Sequence, residues 1–148
     1  MGLFDSTSEH PPSKMLRYLI TTLVFVAFVG LSIWWVLRFH QEKVTARRFL
    51  DAVATGRMEE AYRIWKPSQS YSFKDFLEDW GPDGFYGPVH SYHFEHTEAL
   101  PRGGSGALIV VELSPYSPFP ENDSVKQSKN KEARLIVEFS DQSIAFQP

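Results

Sequence analysis

The sequence contains no cysteine. This absence excludes disulfide bonds, thiol catalysis, cysteine-ligated zinc or iron–sulfur centres, and lipidation at a cysteine. The sequence also lacks a basic patch with interleaved aromatic residues, because from His40 onward it has 12 lysines and arginines against 16 aspartates and glutamates. Since nucleic-acid surfaces are basic, we expect no nucleic-acid partner.

Motifs for catalysis, metal binding and nucleotide binding are missing as well. The glycine-rich run at residues 103–106 is short and has no helix after it, so it is not expected to form a phosphate-binding loop. The sequence therefore predicts no catalytic residue, no metal site and no cofactor.

One long hydrophobic run stands near the N-terminus, at residues 15–38. About twenty uncharged, mostly apolar residues separate Arg17 from Arg38, enough for a helix to cross a hydrocarbon core of about 30 Å. The run is too uniformly apolar for a core helix and lacks the small-residue cleavage site of a signal peptide. It predicts an uncleaved, single-pass transmembrane helix with interfacial aromatic residues at its ends. The anchor side chains include Leu19, Val24, Phe28, Trp34 and Trp35.

The charges beside this run leave the membrane side of the domain open. Lys14 and Arg17 precede the run, and Arg38 and three further basic residues follow it by position 48, a count that favours a cytoplasmic domain. The later charges lie on a predicted helix of the folded domain, however, where they carry less weight. Residues 1–14 have no apolar periodicity and are predicted to be a flexible tail.

Two helices are predicted to open the soluble part, which spans residues 40–148 and suffices for one domain. Residues 45–54 and 57–65 have helical apolar spacing and are separated by Gly56. A third helix follows Ser72, a good N-cap residue, and has Asp75 three positions later, as a capping box requires.

The apolar spacing then changes from helical to strand-like. Strands are predicted at residues 88–100, 107–113, 133–139 and 144–146, with a polar loop at residues 114–131. Helices followed by an antiparallel meander indicate an α+β domain with helices packed on a sheet.

Several segments of this layout resemble a known superfamily. They are the opening helix Phe49-Leu50-Asp51-Ala52-Val53, the break at Gly56 before Glu60-Ala61-Tyr62, the aromatic helix that ends at Trp80-Gly81, and the stretch Tyr86-Gly87-Pro88-Val89 before the sheet. Over about residues 42–146 the chain resembles the NTF2-like, cystatin-like α+β superfamily. It looks most like small bacterial membrane-anchored proteins that are grouped with cytochrome oxidase assembly protein 1.

The resemblance implies a cone of helices and curved sheet with a pocket between them, and a homodimer through the sheet face. The superfamily includes enzymes, binding modules and assembly factors. Acid–base motifs of its enzymes cannot be placed on this sequence residue by residue.

Aromatic residues are abundant, with 4 Trp, 6 Tyr and 12 Phe. Core packing is the simpler role for any one of them, and lining an apolar pocket is the alternative. Asp79 and His93 are weaker polar candidates for the same pocket. The pocket-lining candidates are Trp65, Phe76, Trp80, Tyr86, Tyr92 and Phe94.

His90, His93 and His96 form the most conspicuous polar cluster. On a strand, side chains alternate between faces, so His90 and His96 are predicted to share one face and His93 to lie on the other. Three ring nitrogens would then not converge on one ion.

The sequence favours a membrane-anchored, non-enzymatic binding or assembly domain. Its expected partners are membrane lipid, through the anchor, and another protein or a second copy of the chain. One alternative is a small enzyme or ligand-binding protein that uses the aromatic pocket, with Asp79 or His93 as the acid–base group. Another is a metal-binding protein that uses the histidine cluster, which requires residues 88–100 to be helical and not a strand.

Overall fold

The computed structural model describes residues 13–146. Nearly all of the predicted tail, residues 1–14, lies outside them. The chain divides into two compact units after Arg38. The predicted α+β class is confirmed, with one long apolar helix followed by helices and an antiparallel sheet. The helices are α1 Lys14–Leu37, α2 His40–Ala54, α3 Met58–Trp65, α4 Phe73–Trp80 and α5 Ser124–Gln127, and the strands are β1 Ser91–Ala99, β2 Gly106–Ser114, β3 Lys131–Glu138 and β4 Ile144–Phe146.

Helix α1 is long and apolar enough to cross a membrane. Its 24 residues span about 36 Å, and the apolar side chains along it are exposed. The hydroxyls of Thr21, Thr22 and Ser32 donate to carbonyls one turn back, at 2.9, 2.9 and 2.8 Å. These polar side chains are therefore satisfied within the helix, as an apolar solvent requires.

The signals that the sequence carries at helix ends are present in the structure. Gly56 follows α2 with φ +74°, a left-handed conformation that favours glycine. Before α4, Ser72 and Asp75 form the predicted capping box, in which the Asp75 N–H donates to Ser72 Oγ at 3.2 Å and the Ser72 N–H to Asp75 Oδ2 at 2.8 Å. Hydrogen bonds from Ser72 lower the pKa of the Asp75 carboxyl.

Some boundaries differ from the prediction. Helix α2 begins at His40, five residues earlier than expected. The predicted loop at residues 114–131 contains α5, which Asp123 caps by accepting from the backbone N–H groups of Val125 and Lys126. The connection between β1 and β2 contains a single 3-10 turn at Pro101–Gly103.

The strands form one antiparallel sheet in the order β1-β2-β3-β4. Alternate residues of β2 and β3 point inward and form the core with α2, α3 and α4. Each of these inward side chains is almost fully buried because the helices cover this face. They are Ala107, Ile109, Val111, Leu113, Ala133, Leu135 and Val137.

The predicted placement of the histidines on β1 is wrong. The register of β1 against β2 shifts between Phe94 and His96, so His93 lies opposite Glu112 and His96 lies opposite Val110. Residues two apart on β2 share a face, and His93 and His96 therefore lie on the same, outer face. The extra residue of a β-bulge causes this change, because it reverses the alternation of side chains beyond it.

Candidate functional site

Phe49 of α2 packs in an aromatic core. It is fully buried, and its ring centroid lies 5.2 Å from that of Trp65, 6.2 Å from Phe76 and 4.9 Å from Trp80. The tilted and edge-to-face angles are those that aromatic pairs prefer. Phe76 and Trp80 are completely buried and Trp65 is 5% exposed, so these three pocket candidates pack mainly as core side chains.

The other three pocket candidates lie in two further places. The ring of Tyr86 stacks on that of Trp80, with 4.8 Å between ring centroids, and Tyr86 lines a cleft of about 270 Å³. Tyr92 and Phe94 lie on β1, at the opposite edge of the sheet from β4. The Tyr92 hydroxyl donates to Asp51 of α2 at 2.6 Å. The structure therefore does not arrange the six side chains around one cavity.

An aromatic-walled cleft of about 320 Å³ lies between the end of α3 and strand β4. Its walls include the ring of Trp65, which lies 4.8 Å from Phe146 and 6.0 Å from Tyr71. We call it the β4 cleft, and its lining residues are Trp65, Lys66, Ser68, Tyr71, Ser143, Ile144, Ala145 and Phe146.

The β4 cleft follows the edge of a strand. Four consecutive residues, 143–146, line it. Side chains of a strand alternate between its two faces. Four consecutive residues can therefore all line one cleft only if their backbone borders that cleft. Strand β4 pairs with β3 on one side, and within residues 13–146 no strand pairs with its other side.

The hydrogen bonds of the β3–β4 turn fix which amides face this free edge. The Glu138 N–H donates to the Ser143 carbonyl at 3.0 Å. Hydrogen-bonded pairs alternate along an antiparallel ladder, so Ala145 bonds to β3, whereas the N–H and C=O groups of Ile144 and Phe146 point outward. Within the described part of the chain, no hydrogen bond engages these outward groups.

Three hydrogen bonds hold the cleft in place. Lys66 ends α3 in the left-handed conformation, with φ +52°, and its ammonium donates to the backbone carbonyl of Asp141 beside β4. The Tyr71 hydroxyl donates to Asp79 Oδ2 at 2.6 Å, and the Tyr71 carbonyl accepts from the Tyr62 hydroxyl at 2.8 Å. Both sides of the cleft are therefore tied to neighbouring elements.

The phenols near Asp79 remain protonated at neutral pH. Burial and the hydrogen bond to Asp79 raise the pKa of Tyr71 far above its ordinary value. Burial and the negative charge of Asp79 also raise the pKa of Tyr86. Both side chains therefore serve as hydrogen-bond donors and not as bases.

Asp79 and His93, the candidates for acid–base chemistry, lie apart. Asp79 belongs to α4, whose buried residues pack in the core on the inner face of the sheet. His93 lies on the outer face, where its ring centroid is 5.6 Å from that of Phe119. General acid–base catalysis needs groups within hydrogen-bond reach of one substrate, and these two do not share a site.

The outer face of the sheet carries a charged cleft of about 460 Å³. Two of its carboxylates already have partners: Glu112 accepts from Asn130 at 2.8 Å and Glu132 pairs with Arg134 at 2.7 Å. Among residues 13–146, no group of three or more histidines and carboxylates is arranged to hold a metal ion. The cleft is lined by Glu95, His96, Val110, Glu112, Asn130, Lys131 and Glu132.

Sequence reasoning did not select Ile144 or Phe146 as site residues. The alternation of residues in the last strand identifies both side chains as inward-facing. This alternation is the sequence signal that could have pointed to them. The approach of Phe146 to Trp65 depends on how α3 packs on the sheet, which no local pattern encodes.

Comparison with protein-family models, with curated proteins and with solved structures found no match to this chain.

Proposed function

We propose that the chain is a single-pass membrane protein whose folded domain binds a partner protein and performs no catalysis. The partner docks in the β4 cleft as an extended segment that adds a strand to the sheet. The observation that carries this proposal is a free strand edge beside an aromatic wall. We retain the NTF2-like superfamily as the proposed fold family, because helices packed on one face of an antiparallel sheet are compatible with it.

The anchoring part of the proposal rests on α1. Its apolar residues are exposed over the whole length of the helix. A soluble protein rarely leaves so large an apolar surface in water. Insertion into a bilayer covers this surface, and the length of α1 matches the thickness of the hydrocarbon core.

The docking part rests on the outward backbone of β4. An added strand obtains affinity from main-chain hydrogen bonds and specificity from pockets for alternate side chains. The outward groups of Phe146 provide the hydrogen bonds, because Ile144 is only 3% exposed, and the half-buried rings of Tyr71 and Phe146 line an apolar pocket. The partner segment is therefore extended, and an apolar side chain occupies this pocket.

The carboxylate and phenols near the cleft favour binding over catalysis. The Asp79 carboxylate accepts from Tyr71 at 2.6 Å, and Tyr71 and Tyr86 keep their protons at neutral pH. Together they support the wall of the cleft and supply hydrogen-bond donors.

A displayed library of random peptides, selected on the full chain in phosphatidylcholine nanodiscs, tests the docking site. Ser68 is exposed and lines the cleft, so Ser68→Arg narrows the cleft without disturbing the core. The matched control is Ser124→Arg, at an exposed serine of α5. We expect Ser68→Arg to weaken the selected peptides at least about tenfold, or about 1.4 kcal/mol, and the control to leave their affinity within about twofold. Peptides that bind both variants equally well would contradict the proposed site.

A further inference from the structure

Helix α2 presents a cationic face directly after α1. His40, Lys43, Arg47 and Arg48 are all exposed. Their spacings of three, four, seven and eight residues place them on one side of the helix. The buried residues of α2 lie on its other side and pack into the core, and they are Glu42, Ala46, Phe49, Leu50, Ala52 and Val53.

The charges on this face are not neutralised within the domain. Among residues 13–146, Lys43 and Arg48 form no ion pair, and the Arg47 guanidinium lies 5.9 Å from the ring centre of Phe94. Elsewhere in the domain, five basic side chains pair with carboxylates less than 4 Å away. They are Arg57, Arg63, Lys74, Lys126 and Arg134.

The two acidic residues of α2 each accept a hydrogen bond from a residue outside the helix. Glu42 is buried and accepts from Gln142 at 3.2 Å, and Asp51 accepts from Tyr92 at 2.6 Å. The cationic face is therefore available to an anion from outside the domain.

Part of this face is concave. A cleft of about 290 Å³ separates α2 from the β3–β4 turn, with His40 and Arg48 at positions two helical turns apart. The Thr45 hydroxyl donates to Gln142 Oε1 at 2.8 Å across the cleft. The cleft is lined by His40, Gln41, Val44, Thr45, Arg48 and Gln142.

Chain connectivity keeps the start of the cationic face near the end of α1. His40 follows Leu37 by three residues, which span at most about 11 Å. Arg48 lies about 12 Å further along α2. His40 and Lys43 are therefore the side chains that connectivity brings nearest to a membrane surface from which α1 emerges. Arg47 and Arg48 enter the surface field, which extends about 8–10 Å into the water, where α2 runs along that surface.

We propose that this face of α2 binds the phosphate-bearing headgroups of anionic phospholipids. The inference rests on the proposed function in one respect, namely that α1 is embedded in the bilayer. The guanidinium groups bind phosphate oxygens through paired hydrogen bonds, and Lys43 contributes a point charge. The headgroups thereby supply the negative charge that the domain lacks here.

Lipid selectivity of the full chain tests this inference. The chain is reconstituted in phosphatidylcholine vesicles that contain spin-labelled phosphatidylglycerol or spin-labelled phosphatidylcholine, and electron spin resonance measures the immobilised fraction of each. We expect a preference for phosphatidylglycerol that falls at least about twofold in the variant Lys43→Gln/Arg47→Gln/Arg48→Gln. High salt should reduce the preference of the wild-type chain in the same way.

The control variant Lys74→Gln/Lys126→Gln/Lys129→Gln removes the same charge from exposed positions outside the α2 face. An equal fall in both variants would overturn the inference, since net charge alone would then explain the preference. No preference in the wild-type chain would overturn it as well. An alkaline wash measures anchoring separately. A chain that the wash removes from the vesicles overturns the proposed function as well. A chain that is retained but shows no lipid selectivity overturns only the lipid site.

Discussion

The Tyr71 hydroxyl lies 2.6 Å from Oδ2 of Asp79 and donates a hydrogen bond to it. The bond joins the segment before α4 to the last turn of α4. Tyr71 also stacks on Trp65, with 6.0 Å between ring centroids, and so forms one wall of the β4 cleft. The Tyr71–Asp79 pair thus couples the local stability of the domain to the shape of its proposed binding site.

We expect Tyr71→Phe to destabilise the domain by about 1–2 kcal/mol, because a hydrogen bond to a charged acceptor is lost from a partly buried site. Urea unfolding of the full chain in detergent micelles, followed by near-ultraviolet circular dichroism, measures the change. Asp79→Asn keeps an acceptor oxygen and should cost less. A Tyr71→Phe variant as stable as the wild-type chain would show that the bond contributes nothing.

Stability should fall at alkaline pH in a way that depends on two tyrosines. Burial, and then hydrogen bonds to Asp79 and Asp51, raise the pKa of Tyr71 and of Tyr92. A tyrosine whose pKa is raised in the folded state contributes its full stabilisation below the pKa of the unfolded state, which is about 10. This stabilisation is lost as the pH rises above that value. Urea midpoints from neutral pH to about pH 11 should therefore decline less in Tyr71→Phe/Tyr92→Phe than in the wild-type chain. Parallel curves would contradict this assignment.

Phe49 should be a sensitive position of the aromatic core. It touches three other rings and is fully buried. Phe49→Ala leaves a cavity and should cost about 3–5 kcal/mol. Phe85→Ala, at a ring that is 71% exposed, should change the free energy of unfolding by less than about 0.5 kcal/mol. Comparable losses in the two variants would place the centre of the core elsewhere.

A charge in the middle of α1 should weaken membrane retention. Val24 lies near the middle of the helix and is exposed, and an arginine at the centre of a bilayer costs about 2.5–3.5 kcal/mol. Val24→Arg should therefore increase the fraction of chain released by an alkaline wash of cell membranes. Ser124→Arg, at an exposed position of α5, is the control and should leave that fraction unchanged. Equal release from both would argue against α1 as the anchor.

The sequence predicts those parts of the fold that local chemistry determines. The capping box of Ser72 and Asp75 and the stop at Gly56 are readable because each depends on residues within one helical turn. The bulge after Phe94 is not readable, since an unpaired residue in a strand leaves no consistent sequence pattern, and it moved His96 to the face of His93.

The candidate site is less predictable than the fold. The abundance of aromatic residues indicates a core or a pocket, but it does not separate Phe76, which is fully buried, from Tyr71, which lines a cleft. The outward amides of β4 depend on its position as an edge strand and on the hydrogen-bond phase set at Glu138 and Ser143. Both are properties of the assembled sheet.

Amide hydrogen exchange at β4 tests the central claim most directly. A peptide selected from the library is added to the full chain in nanodiscs, and exchange is followed at single amides. Strand addition predicts that exchange slows at Phe146, whose N–H group faces the free edge, and changes little at Ala145, which already bonds to β3. Unchanged exchange at Phe146 with the peptide bound would contradict the proposed docking site.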